Sequence, residues 1–152
     1  MERREEVVVA DASIIVEWFV KERYSDKALD LRDDYVGRLT DITCPELLPF
    51  EVLNALRYNP DFGETDLKDV AVALERYCFW FFPLLGDLAE RSIENAFRHG
   101  VSVYDASYVS LGEIKGVTFY TADEKLLRKF KDLPLVRHIS EYRRKSFKRK
   151  VR

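Results

Sequence analysis

Val7-Val8-Val9-Ala10-Asp11-Ala12-Ser13 is the stretch on which the reading of this chain turns. Three consecutive valines with no polar residue between them describe a strand covered on both faces, as the strands of a parallel sheet are. The run stops at a carboxylate, and the apolar segment Ile14 to Val20, with Trp18 and Phe19, reads as a helix directly after it. The same order recurs near the other end: the β-branched and aromatic Val117-Thr118-Phe119-Tyr120-Thr121 leads to Asp123, followed by a short helix over Glu124 to Phe130.

Between these two units the pattern alternates. A helix is expected from Ser25 to Val36, stopped by Gly37, and then a strand fragment Ile42-Thr43-Cys44. Pro45 is placed at the first turn of a helix carrying Leu47, Phe50, Val52, Leu53 and Leu56, with Glu51 in its middle. Asn59-Pro60-Asp61-Phe62-Gly63 breaks the chain, and Thr65 or Asp66 reopens a helix to about Tyr77. Phe79 to Leu85 reads as a strand, with Pro83 confining it to an edge or an end. Helices follow over Asp87 to His99 and from Ser102 or Tyr104 to Gly112 or Glu113, and Leu135-Val136-Arg137 is a last short strand. Strands alternating with helices imply right-handed crossovers, hence an α/β fold of three layers with a mainly parallel central sheet of about five strands flanked by helices.

The 152 residues suit one core, and residues 1–142 are expected to form one domain followed by a basic tail, 143–152. With 47% apolar and 34% charged residues the composition is that of a globular protein. No apolar run approaches the roughly 20 residues of a membrane span, and Met1 to Glu6 has no secretory pattern, so no membrane association and a cytoplasmic location are expected. The net charge is −2, yet the last ten residues carry seven cations and no acid, which leaves −9 for the rest. That tail is either a solvated end or an arm for phosphates. Glutamine is absent and asparagine occurs only at 54, 59 and 95, a depletion that suggests a thermophile.

Cys44 and Cys78 lack metal-ligand spacing and read as buried small hydrophobes. His99 and His138 stand far from each other and from both cysteines, which leaves too few ligands for structural zinc. The acids are more informative. In open α/β sheets functional groups gather where strands end and helices begin, near a switch in strand order. Asp11 and Asp123 hold such positions, Asp105 follows Val101-Ser102-Val103 at a helix opening, and Glu51 can reach inward from its helix. Each has an ordinary alternative: Asp11 and Asp123 as helix caps, Asp105 closing a capping box with Ser102, and Glu51 as a solvated helix residue. Carboxylates sharing one crevice would repel one another, however, unless a cation neutralised them, and oxygen ligands without His or Cys suit Mg2+ or Mn2+.

Val9-Ala10-Asp11-Ala12-Ser13, Pro45 to Leu56 around Glu51, His99 to Tyr108 around Asp105, and Thr121-Ala122-Asp123 resemble, in that order, the motifs of PIN-domain nucleases, most closely the VapC-type toxins of toxin–antitoxin pairs. The resemblance spans about residues 7 to 140 and rests on four spaced motifs rather than on one acid. It implies that Asp11, Glu51, Asp105 and Asp123 are an acidic quartet for metal-dependent RNA hydrolysis, with Asp11, Asp105 and Asp123 on Mg2+ or Mn2+ and Glu51 handling the attacking water. It further implies supporting roles for Ser13, Asn54 and Thr121, 5′-phosphate and 3′-hydroxyl products, a small antitoxin partner and a homodimer. Ser13 and Thr121 could equally serve turns, and Asn54 a helix surface. The aromatic residues Trp18, Phe19, Tyr77 and Phe79 to Phe82 belong either to the core or to partner surfaces. The charged lead and the long basic tail depart from the family pattern without touching the quartet. Three other readings stay open: a PIN nuclease of RNA processing or decay without an antitoxin, a non-catalytic PIN-like binding domain, and a phosphoacceptor receiver. The receiver would want paired acids after the first strand and a lysine after the last, where Asp11 stands alone and Asp123 takes the place of the lysine.

Overall fold

The computed structural model describes residues 6–145; Met1 to Glu5 of the charged lead and Ser146 to Arg152 of the basic tail lie outside the described residues. Five strands, β1 (Glu6–Ala10), β2 (Thr40–Pro45), β3 (Trp80–Phe82), β4 (Phe119–Thr121) and β5 (Val136–His138), form one sheet in the order β3-β2-β1-β4-β5, all parallel. Seven helices connect them: α1 (Ala12–Val16), α2 (Ser25–Val36), α3 (Leu48–Arg57), α4 (Glu64–Tyr77), α5 (Gly86–His99), α6 (Val103–Lys115) and α7 (Glu124–Lys129). The sheet advances from β1 to β2 and β3, returns across to β4, and continues to β5. Right-handed crossovers therefore place α1 to α4 on one face and α5 to α7 on the other. This is the three-layer α/β fold that the alternation implied.

β1 is the middle strand. Val8, Val9 and Ala10 are fully buried because both faces are covered, which is why the segment lacks alternation. Val9 stands beside Thr43 on one side and Phe119 on the other. The connections after β1 and β4 leave in opposite directions, so the crevice between the carboxyl ends of these two neighbours is the topological switch point. Asp11 directly follows β1, and Asp123 follows β4 by two residues.

Several local expectations need correction. Pro45 is the last residue of β2, where no ladder N–H is required of it, and Pro49 instead occupies the first turn of α3, which puts Glu51 near the start of that helix. The helix after Asp11 ends at Val16. The chain then tightens through i→i−3 bonds from Glu17, Trp18 and Phe19, while the Trp18 indole donates to the Ala28 carbonyl at 2.8 Å and draws this turn onto α2. The strand expected over Phe79 to Leu85 shortens to Trp80–Phe82. Cys44 is buried as expected, but Cys78 is exposed, because it caps α4 in the left-handed conformation (φ 54°). Of the aromatic residues, Trp18 and Phe79 enter the core, whereas Trp80 is exposed beneath Lys115. Among the described residues no helix is long and apolar enough to cross a membrane.

Candidate active site

Asp11 is the centre of the site. It is buried, its Oδ1 accepts from the Ser13 amide (3.1 Å) and hydroxyl (2.5 Å), and its Oδ2 accepts from the Thr121 hydroxyl at 2.6 Å. Ser13 Oγ also accepts from the Ala122 amide, and Thr121 Oγ1 accepts from the Asp123 amide. These bonds stitch the end of β1 to the end of β4, so the two small hydroxyl residues set the carboxylate and close the crevice at once. Asp11 is thus an N-cap and the site's innermost acid together, which makes the alternatives drawn from the sequence compatible. Burial pushes its carboxyl up to about 7. The hydrogen bonds of Ser13 and Thr121 oppose this, and the negative charges of Asp123 and Glu51 add to it.

Asp123 is exposed and caps α7, with Oδ1 accepting from the amides of Lys125 and Leu126. Asp105 is half-buried in the first turn of α6, whose N-cap is Ser102; the Ser102 hydroxyl accepts from the Asp105 amide at 3.0 Å. Its carboxyl is held above the usual range by burial and by the charge of Asp123. Glu51 is raised by burial and by Asp105, against the lowering effect of a 2.8 Å hydrogen bond that the Tyr108 hydroxyl donates to its Oε1. Asp11, Glu51 and Asp105 therefore each feel the charge of another acid of the quartet. Among the described residues none of the four has an ion-pair partner.

Tyr108 is the residue that sequence reasoning missed. It lies three positions after Asp105, on the same face of α6, and is buried and stacked on Phe119 with ring centroids 5.9 Å apart. Burial keeps the phenol protonated far above neutrality, so it serves Glu51 as a fixed donor. The i, i+3 spacing from Asp105 was the available signal. Asn54, one turn beyond Glu51, is exposed and has no side-chain hydrogen bond among the described residues; the structure does not bring it to Asp11. It lines an open groove of about 1280 Å³ between α3 and α4, together with Glu51, Phe50, Arg57, Lys68 and Tyr104.

Among the described residues no three His, Cys, Asp or Glu side chains stand as a group that could hold a metal ion. The chemistry of the donors nonetheless fits a hard divalent cation that keeps several of its own waters: the ligands are all oxygen, the charge of Asp123 raises the carboxyls of Asp11 and Asp105, and no described cation offsets it.

Acids at the switch point of a doubly wound parallel sheet, held by two hydroxyl residues, stand in the crevice where this class of α/β domain binds its ligands. The model of the PIN domain matches residues 8–132, and the chain belongs to that family, as the four motifs implied. It is 31% identical over 127 residues to Ribonuclease VapC3 of Pyrobaculum aerophilum, an alignment covering 81% of this chain and 94% of that protein. Its fold is similar to a toxin–antitoxin complex from Klebsiella pneumoniae (TM-score 0.64, 18% identity, 87% and 97% of the two chains). It is also similar to the sarcin–ricin-loop-cleaving toxin VapC20 of Mycobacterium tuberculosis (TM-score 0.60, 16% identity, 80% and 93%).

Proposed function

We propose that this protein is a metal-dependent endoribonuclease that hydrolyses RNA phosphodiesters, and that it is the toxin of a VapBC-type toxin–antitoxin pair. The observation that carries the chemistry is Asp11: a buried carboxylate, held by Ser13 and Thr121 and facing other acids, is costly to fold unless a cation is its purpose. Asp11 and Asp105 would hold Mg2+ or Mn2+ directly, and Asp123 directly or through water. When bound, the ion supplies charge for a phosphoryl oxygen and lowers the pKa of a water on it. Glu51, with its carboxyl raised and its orientation fixed by Tyr108, accepts a proton from the attacking water. Ser13 and Thr121 keep Asp11 in place, and Asn54 lies on the groove wall where a strand of RNA would approach Glu51.

Biological assignment follows the likeness to VapC3 and to the toxin structures, together with the groove itself. Its apolar wall, which includes exposed Phe50 and Tyr104, suits the tail of a small antitoxin lying beside Glu51. A homodimer and a cytoplasmic location complete the reading. The experiment is cleavage of end-labelled RNA with Mg2+, with Mn2+ and with chelator, by the parent chain and by Asp11→Asn and Asp105→Asn. Parent and variants cutting equally fast would remove the mechanism. A short reading frame for a DNA-binding protein immediately before this gene supports the toxin; its absence favours a nuclease of RNA processing or decay.

A further inference from the structure

At the end of the sheet opposite the carboxylates, where β2 begins, lies a second concavity of about 530 Å³. Its wall contains Arg38, Arg76, Tyr35, Tyr77, Thr40 and Asp41. Two arginines and one carboxylate thus share its wall, and among the described residues neither arginine has an ion-pair partner. The backbone here is unusual as well. Among the described residues the only non-glycine positions with positive φ are Arg38 (64°) and Cys78 (54°), and both line this pocket. Both positions end a helix, Cys78 as the cap of α4 and Arg38 one residue after the Gly37 cap of α2, where the left-handed conformation is a common helix stop that usually falls on glycine. Gly37 stands one position earlier, at φ −80°, so the strain falls on the arginine and not on the neighbouring glycine.

The basic tail starts beside this pocket. Tyr142 shares a 3.0 Å hydrogen bond with Thr40 in the pocket wall and donates to Asp34 at 2.6 Å. Arg144 is bonded to Asp34 at 2.6 Å, and Lys145 is paired with Glu6. The sequence beyond this root continues with Lys148, Arg149, Lys150 and Arg152.

We propose that this pocket is a second, non-catalytic RNA site, in which Arg38 and Arg76 grip backbone phosphates of a strand whose cleaved segment lies at the carboxylates. The proposal rests on the ribonuclease reading for the identity of its ligand. Guanidinium pairs match phosphate geometry, Tyr35 and Tyr77 offer aromatic edges, and Asp41 can accept from a ribose hydroxyl. Two guanidinium groups set beside two aromatic rings suit a nucleic-acid strand rather than a single phosphate. An acidic body that repels RNA needs such a distant foothold to raise encounter and affinity.

The test uses the full chain with Asp105→Asn, so that RNA is not consumed, and follows fluorescence anisotropy of labelled single-stranded RNA across a salt series. A second protein adds Arg38→Asn, a residue that tolerates the left-handed conformation, and Arg76→Gln. On RNA of about 20 nucleotides, the slope of log affinity against log salt should flatten by about 1.4, at about 0.7 for each phosphate no longer neutralised. RNA of about 4 nucleotides, too short to reach both poles, should bind both proteins alike. Arg38→Lys with Arg76→Lys should restore most of the slope, which separates charge from folding. An unchanged slope on long RNA, failure of the lysine pair, or equal competition by a nucleoside monophosphate overturns the proposal. Loss of binding in the double variant of a parent chain that cuts no RNA supports the pocket and sinks the ribonuclease reading instead.

Discussion

At the scale of single residues, burial raises the carboxyls of Asp11, Glu51 and Asp105, and named hydrogen-bond donors oppose it. Asp11 has its carboxyl raised to about 7, so between its ordinary value near 3.8 and about 7 the folded chain holds more protons than the unfolded one. This contribution to stability is full at low pH and is lost as pH rises through that window. Asp11→Asn should therefore raise stability at pH 8 by about 1–3 kcal/mol and leave it nearly unchanged at pH 3.5, as read from urea unfolding, while abolishing cleavage. Thr121→Val removes the donor to Oδ2 and should lower kcat/KM about 10- to 100-fold while shifting the acid limb of its pH profile upward. Tyr108→Phe keeps the stacking on Phe119 but frees Glu51; the expected loss is about 10-fold in kcat, with KM little changed. Asp11, Asp105, Asp123 and Glu51 were legible in the sequence as an ordered set, and Ser13 and Thr121 as their companions. Tyr108 was not, because an aromatic residue on an apolar helix reads first as core, and here it is core as well as donor.

At the scale of elements, the misread boundaries share a cause. Pro45 and Pro49 both qualify as helix starters, and only the pairing of Pro45 with Phe82 on β3 assigns the first to the strand. Similarly, Phe79 to Leu85 is apolar throughout, yet only Trp80–Phe82 finds β2 as a partner. Local sequence does not carry this tertiary information. α1 ends on Glu17, whose buried Oε1 has no hydrogen-bond partner among the described residues. Burial, with the charge of Glu22, raises its carboxyl to about 7. α6 meets the sheet at Gly112, where an added Cβ would lie 2.8 Å from Leu135 Cδ1 and 3.2 Å from the Val117 carbonyl oxygen. Gly112→Ala should lower stability by about 1–3 kcal/mol through this overpacking, despite the better helix propensity of alanine, with thermal melting as the check.

At the scale of the whole molecule, the order β3-β2-β1-β4-β5 is what brings the distant Asp11 and Asp123 together, because it sets the ends of β1 and β4 side by side. Alternation of strands and helices made the α/β class legible; strand order was not, because it depends on which strands pair in the folded sheet. The opposite pole is closed by Asp34, fully buried and accepting from Tyr142, Arg144 and the Lys145 amide. Asp34→Ala leaves the buried Tyr142 hydroxyl without its acceptor, while the half-exposed Arg144 turns to water, and should cost roughly 1–3 kcal/mol in urea unfolding. The central claim is that the acids at the switch point cut RNA with a divalent ion. Its most direct test is the rate at which end-labelled RNA is cleaved by the parent chain and by Asp105→Asn, each with Mg2+, with Mn2+ and with excess chelator. The account predicts cleavage by the parent with either ion, none with chelator, and a loss of at least about 100-fold in the variant, as for removal of a transition-state charge stabiliser. Equal cleavage with chelator, or by Asp105→Asn, would contradict it.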